Sequence, residues 1–569
     1  MKKTFPSDPW RRLVSGLRGV ASPAWLWQVP MLLLVLALYA LFIRLPYCSL
    51  DSDAVNFGLM GEDLYTYGHL PSLAYGQNYL LSITPYLYAA FKALLPKTVP
   101  WAYILAAAGG VLSLSGLWMI FRSFVATADQ TQRRSGVALV LFLLLLLGLP
   151  KHLFDYGGNA STELGYFVTG LLMLSASRLA AALRAGQLPS WRWWALAGLA
   201  FGYGMFSRPQ VCAYGLIPLV LLAGQQWRIG PGRKFLTACA WLAAGLLGGS
   251  LPMILHRLFR AATWPFGMEL GSHWADAAAL REQFDVLIHK VIPTLFSFDD
   301  RWGPPTYQEE LVLLWVAAAI TGYLYFLVRR RGEMTPMDHG WFWGPWIVLA
   351  IMLTHTHMIS DQSNRRYCLQ IVEAMIWLFC RFCVPVRRPM ASNRPAAARA
   401  PMLLAVGLIL LLLMSSVVSW RDVVTEKLKK NTFYKHMVRG HLVPELERQH
   451  AVIIADYWDA YILLFLSEGR LRVEAQPWFW VRTYGRISAA EMQRNTLWLA
   501  RNGVTHTAMR MLQQGLGPKA LDNLTSIPVE AKWGDLSCEL WRLTDTNAAV
   551  TLMQKYHPRY FATPYPPGS

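Results

Sequence analysis

Asp51 and Asp53 lie in the stretch "LDSDAVNFGLMGEDLYTYGHLP", residues 50–71, just beyond an apolar run that ends near residue 45. A carboxylate at a protein-lined membrane boundary is partly desolvated, which makes it a better proton acceptor for a reacting hydroxyl. A D-x-D pair also offers the oxygen ligands taken by a divalent cation such as Mg or Mn. Glu62 and Asp63 follow and read as the carboxylates of a solvated loop. Farther along, "AYGQNY" places Tyr75, Gln77 and Tyr79 together, two aromatic faces and an amide suited to sugar hydroxyls. The next polar stretch, "KHLFDYGGNASTELG", brings Lys151, His152, Asn159 and Glu163 to the edge of another apolar run. An ionisable group at such an edge faces a polar cavity more often than lipid. Arg208 in "SRPQ" and Arg365 and Arg366 in "SDQSNRRY" complete the set. A guanidinium fork matches phosphate, and structural pairing or snorkelling is the competing reading for each.

These groups belong to a chain of 569 residues that is 54% hydrophobic and only 15% charged. Soluble proteins carry about 25% charged residues, so the composition is that of a membrane protein. Runs long enough for a hydrocarbon core of about 30 Å recur at 26–45, 101–121, 136–151, 162–180, 193–207, 211–226, 235–256, 309–328, 341–358, 367–384 and 401–420. The sequence therefore predicts a mostly α, polytopic helical bundle of about 11 spans over 26–420. With residues 1–25 in the cytoplasm, the predicted inner segments hold 21 basic residues against four acidic ones, a surplus of 17 out of a net charge of +19. That is the bias of the positive-inside rule, so the charge orients the chain and calls for no nucleic acid. The predicted location is the cytoplasmic (inner) membrane, with no cleaved signal peptide and the C-terminus outside.

The external face then receives the long loops 46–100 and 257–308 and the tail 421–569. Helix-like apolar spacing in the first loop predicts short interfacial helices. In the tail, "HAVIIAD", "RLRVEA", "GVTHTAMR" and "CELWRLT" read as strands, and "YWDAYILLFLSEG" as a helix closed by Gly469. Such alternation predicts a small extracytoplasmic α/β domain. Asp456 with "YWDAY" offers a further polar site, for which the core of that domain is the plainer reading. Cys380 and Cys383 form a lone CxxC without a second pair, which favours packing over metal.

The order of "DSDAVNFGLM", "YGQNY", "FDYGGNASTELG", "WALAGLAFGYGMFSRPQ", "RRYCLQI" and "YWDAYILLFLSEGRLRVEA" resembles the bacterial branch of the GT-C glycosyltransferases. That group includes protein mannosyltransferases and the lipid A aminoarabinose transferase. The resemblance implies a polyprenyl-phosphate-linked sugar donor (undecaprenyl phosphate or similar), an external active site and an acidic base in the first external loop. Asp53, immediately before Ala54, matches that base best, with Asp51 second. The residues before Ala54 read Ser-Asp rather than the usual Asp-Glu, which leaves the choice of base and any metal dependence open. Phosphate binding then falls to Arg366, Arg365, Arg208, Lys151 and His152, and sugar or acceptor binding to Tyr75, Gln77, Tyr79, Asn159 and Glu163. The expected partners are the bilayer, the lipid-linked sugar and an envelope glycan, lipid or protein acceptor. The alternatives are a multi-pass transporter or lipid-sugar flippase without transferase chemistry, and a silent scaffold. A transporter would gather its polar residues at the midplane rather than at the outer face.

Overall fold

The computed structural model describes residues 36, 39–40, 43–48, 50, 52–68, 82–127, 160–260, 275–287, 291, 307–329, 331–354, 369–382, 421, 424–476, 489–501, 524–533, 536–543, 547 and 550–551. The described part of segment 46–100 is helical, as its spacing predicts: α1 spans Ser52–Tyr67 and α2 spans Thr84–Leu94. The bundle follows with α3 (Trp101–Thr127), α4 (Ala160–Arg184), α5 (Trp191–Ser207), α6 (Pro209–Ile229) and α7 (Arg233–Arg260). It continues with the short α8 (Ala277–Val286), then α9 (Tyr307–Arg329), α10 (Pro336–Thr354) and α11 (Leu369–Phe382). Trp101–Ala126, Gly165–Arg184 and Arg233–Leu255 are each long and apolar enough to cross a membrane. The predicted spans 136–151 and 401–420, and most of 26–45, lie outside the described residues.

Two seams of glycine hold the bundle. A Cβ on Gly198 or Gly202 of α5 would strike the carbonyls of Leu242 and Leu246 on α7. In return, one on Gly245 or Gly249 would strike those of Ala195 and Leu199. Both helices carry the G-x-x-x-G spacing that lets backbones touch where lipid supplies no hydrophobic drive. Gly116 of α3 meets the Tyr166 backbone on α4 in the same way, and Gly170 meets Gly116.

At one end of the bundle Asp338 joins α10 to α11. Its Oδ2 accepts from the Thr335 N–H at 2.8 Å and the Thr335 hydroxyl at 3.0 Å, capping α10. Its Oδ1 accepts from Trp377 Nε1 at 3.2 Å and pairs with Arg381 Nε at 3.4 Å. Cys380 packs into the apolar core of the bundle, and Cys383 lies outside the described residues.

Beyond a π-helical segment at Phe433–Leu442 and α12 (Val443–Arg448), the described residues form a five-stranded mixed sheet. Its strands are β1 (Val452–Asp456), β2 (Arg472–Gln476), β3 (Thr496–Arg501), β4 (Leu524–Trp533) and β5 (Leu536–Leu543). The order is β2-β1-β3-β5-β4, with β1 parallel to β2 and β3, and β5 antiparallel to β3 and β4. Between β1 and β2 runs α13 (Tyr457–Leu466), closed by Gly469 at φ 77° as the sequence predicts. The predicted strand "GVTHTAMR" lies outside the described residues, and β3 and β4 were not foreseen.

A second core unites this sheet with the first external segment. Tyr47, Leu50, Ala54, Val55 and Leu59 pack with Tyr88 and Trp101 against Val438, Ile453, Tyr461, Phe465, Leu497 and Leu540. The solvated-loop reading of Glu62 and Asp63 is therefore corrected. Asp63 is buried on α1. Glu62 pairs with Lys92 of α2 at 3.3 Å and accepts from the Tyr88 hydroxyl at 3.3 Å. Helix formation turns the Glu62 carboxylate toward α2, more than twenty residues away in sequence.

Candidate functional site

Arg208 occupies the single-residue joint between α5 and α6. Pro209 disfavours helical geometry at the residue before it, so α5 ends here. Arg208 takes φ −150° and ψ 83°, and its N–H donates to the Gly204 carbonyl at 2.8 Å. Proline then opens α6, where its missing N–H is no loss. The Arg208 side chain is 7% exposed, so a guanidinium is held within the protein at the bundle end. Beside it, the Ser207 hydroxyl and Gln210 Oε1 are buried without hydrogen-bond partners.

Gly165 shows what surrounds this joint. A Cβ there would lie 2.9 Å from Gln370 Nε2 and 3.8 Å from Arg208 Cγ. The first turns of α4 and α11 thus meet the α5–α6 corner, and Glu163 lies two residues before the contact point. One helical turn beyond Gln370 on α11 sits Glu373, 1% exposed, with Tyr166 of α4 beside it. Neither Glu373 carboxyl oxygen has a hydrogen-bond partner of normal geometry. Buried polar atoms without partners cost about 1–3 kcal/mol each, so a cluster of them needs a functional reason. The sequence reading passed over Gln370 and Glu373. An acid inside the apolar run "LQIVEAMIWLFC" was the available signal.

Asp53 is the second residue of α1, in the first turn, where the helix dipole favours a carboxylate. Helix α1 rests on α2, α3, α4 and α13. Asn56, three residues after Asp53, is buried at 2% exposure. The structure thus brings the helix carrying Asp53 against the helix carrying Glu163, and places Arg208 and Gln370 at the head of the latter. Asp51, Tyr75, Gln77, Tyr79, Lys151, His152, Asn159, Arg365 and Arg366 lie outside the described residues, as do the side chains of Asp53 and Glu163. Among the described residues, no group of three His, Cys, Asp or Glu is placed to hold a metal ion.

In the second core, burial pushes the Tyr88 phenol well above its usual range, and the Glu62 carboxylate adds to the shift. Tyr88 therefore serves Glu62 as a hydrogen-bond donor. Lys92 lies 5.2 Å from the Trp101 ring centroid, which completes a polar bracket between α1, α2 and α3.

No protein-family model matches the sequence, and no curated protein sequence matches it either. Among solved structures, ArnT from Cupriavidus metallidurans in the apo state is similar over 91% of this chain and 98% of its own, with a TM-score of 0.54 at 14% identity. The same protein bound to undecaprenyl phosphate aligns over 90% of this chain and 98% of its own, with a TM-score of 0.49 at 13% identity. An Archaeoglobus fulgidus oligosaccharyltransferase in the apo form aligns over 83% of this chain and 70% of its own, with a TM-score of 0.44 at 12% identity. The likeness to apo ArnT, nearly complete over both chains, is one of fold.

Proposed function

We propose that this chain, a membrane protein built on the GT-C glycosyltransferase fold, moves a sugar from a polyprenyl-phosphate donor to an envelope acceptor at the outer face of the cytoplasmic membrane. The observation that carries the reading is the polar corner of Ser207, Arg208, Gln210 and Gln370 at the head of α4, against which the helix bearing Asp53 packs. In the proposed arrangement residues 26–420 form the transferase body with about 11 spans, and 421–569 the external α/β part.

Asp53 takes the proton of the acceptor hydroxyl, with Asp51 as its second. The hydroxyl oxygen attacks the anomeric carbon while the bond to phosphate breaks, and polyprenyl phosphate departs. Direct displacement inverts the anomeric configuration. Arg208 is a fixed cation for the charge that develops on the departing phosphate, a preorganised arrangement that needs no rearrangement during the reaction. Arg365, Arg366, Lys151 and His152 belong to the same role, and Tyr75, Gln77, Tyr79, Asn159 and Glu163 to the sugar and acceptor. ArnT has been solved with undecaprenyl phosphate bound, a ligand whose head group suits a buried guanidinium. Asp51 and Asp53 are the residues that would hold a Mg or Mn ion.

Purified protein in nanodiscs, supplied with radiolabelled polyprenyl-phosphate sugars and crude envelope acceptors, tests this. The expected result is transfer by the native protein and its loss in Asp53→Asn at unchanged folded yield. Full transfer by Asp53→Asn would remove the base. Absence of transfer across a broad donor panel, with lipid-sugar movement between leaflets, would replace the enzyme with a flippase. Loss of transfer in EDTA, restored by Mg or Mn, would place a cation in the reaction.

A further inference from the structure

Arg439 lies in the π-helical segment that precedes the sheet, and its guanidinium joins two distant parts of the chain. Nη1 donates to the Tyr47 hydroxyl, and Nη2 donates to Glu468 Oε1 at 2.7 Å. Tyr47 closes the apolar run that leads into the first external segment. Its own N–H donates to Asn431 Oδ1 at 3.0 Å, and its ring stands edge-on to Tyr103 at 6.2 Å. Burial pushes the Tyr47 phenol up, against the pull of Arg439, so the group stays a protonated acceptor for the guanidinium.

Glu468 follows α13 with φ 54°, a left-handed conformation uncommon outside glycine. Holding a glutamate there rather than glycine is understandable if its carboxylate is needed, and Arg439 is the partner it meets. Helix α13 in turn seats α1: a Cβ on Gly58 would strike the Phe465 ring, and Phe465 stacks edge-on to Trp101 at 5.7 Å. Between Tyr47 and the first turn of α1, Leu50, Ala54 and Val55 are all buried in the core shared with the sheet. Asp53 is bracketed by these anchors.

We propose that Arg439 is a positioning residue: the clamp Tyr47–Arg439–Glu468 fixes the entry into α1 against α13, and so fixes the helix that carries Asp53 against α4. The sheet-bearing part of the chain thereby acts on the reaction without touching the substrate. The inference rests on the reading of Asp53 as base. The fork of Arg439 is essential to it, because an ammonium is a single point charge and cannot match both partners in this geometry.

The test uses the full-length protein in nanodiscs, as Arg439→Met, Arg439→Lys, Tyr47→Phe and the double variant Tyr47→Phe/Arg439→Met. Hydrogen exchange of residues 52–67 is measured beside donor KM and kcat. Arg439→Met should raise exchange across 52–67 by about tenfold while residues 165–184 keep their protection. It should also lower kcat by about tenfold or more with donor KM within about twofold, the mark of a misplaced group rather than a lost binding contact. Arg439→Lys should fall between, and the double variant should be no worse than Arg439→Met alone. Unchanged exchange in 52–67, or a rise in KM at constant kcat, would overturn the clamp. Raised exchange in a protein whose native form transfers no sugar would uphold the clamp and overturn the transfer reading instead.

Discussion

Gly202 links the packing of the bundle to the candidate phosphate site, and Gly202→Ala probes that link directly. A Cβ at this position falls against the Leu246 carbonyl of α7, well inside the 3.0 Å that real Cβ atoms keep. The neighbour is backbone, so no side chain can swing aside. Restoring an ordinary contact of about 3.5 Å parts α5 and α7 by about 1 Å at that level. Overpacking of this kind costs about 1–3 kcal/mol. Gly202 precedes Arg208 by six residues, or about 9 Å along the helix, so the displacement reaches the corner that holds the guanidinium. A misplacement of about 1 Å can cost about a hundredfold in rate, so transfer should fall further than stability alone requires. Gly248, adjacent to the seam on α7, supplies the control, because an added Cβ there meets nothing within 4 Å. Gly248→Ala should be neutral or stabilising by about 0.5–1 kcal/mol. Thermal unfolding followed by fluorescence-detected size exclusion, with transfer measured at equal folded protein, separates the two effects. Equal stability and activity of Gly202→Ala and Gly248→Ala would refute the seam.

At Glu468, replacement by alanine loses the pairing with Arg439 and keeps the left-handed backbone, whereas replacement by glycine relieves it. Glu468→Gly should therefore be about 1 kcal/mol more stable than Glu468→Ala by hydrogen exchange of 452–473, and identical exchange in the two would refute the strain. Asp338→Ala leaves Thr335, Trp377 and Arg381 without their shared acceptor and should cost about 3–5 kcal/mol, while Asp338→Asn should cost less; comparable folded yields from both would sink this account. For Glu373, whose buried oxygens make no hydrogen bond of normal geometry, Glu373→Leu should raise the unfolding temperature while reducing transfer, the usual trade at functional sites. A fall in unfolding temperature would mean that the carboxyl is satisfied in the folded protein.

How much of this was legible follows from which forces act locally. Helices α3 to α7 and α9 to α11 coincide with runs read from hydropathy, and among the described residues α3, α4 and α7 contain stretches long and apolar enough to cross a bilayer. Strands β1, β2 and β5 were read from short apolar runs between turn residues, yet β4 was missed. Its Pro528 reads as a strand breaker, but β4 is the outermost strand of the sheet, where a missing donor is tolerated. Arg208 stood out because basic residues oppose the external charge trend. Glu373 did not, being one acid among apolar letters, although that isolation was itself the signal. Glu62 and Asp63 were misread for the opposite reason: Asp63 is buried by packing, and Glu62 meets Tyr88 and Lys92, partners that only folding brings near.

The candidate site also draws on two cores, and that constrains how it is assembled. Arg208 belongs to the bundle, whose apolar cluster includes Val168, Val211 and Tyr214. Asp53 sits between residues of the other core, next to Ala54 and Val55. Helix α3 is common to both: Trp101, Ile104 and Leu105 at one end pack with the sheet, while Ile120 and Phe124 at the other pack with the bundle. Its backbone contact with α4, through Gly116, Tyr166 and Gly170, then fixes the distance between the two cores. The proposed base on one core and the proposed cation on the other keep their separation only if that strut cannot slide. Close-packed glycine, rather than interdigitating side chains with alternative rotamers, gives the strut a single setting. On the proposed reading, the precision required by the chemistry therefore lies in backbone contacts remote from it.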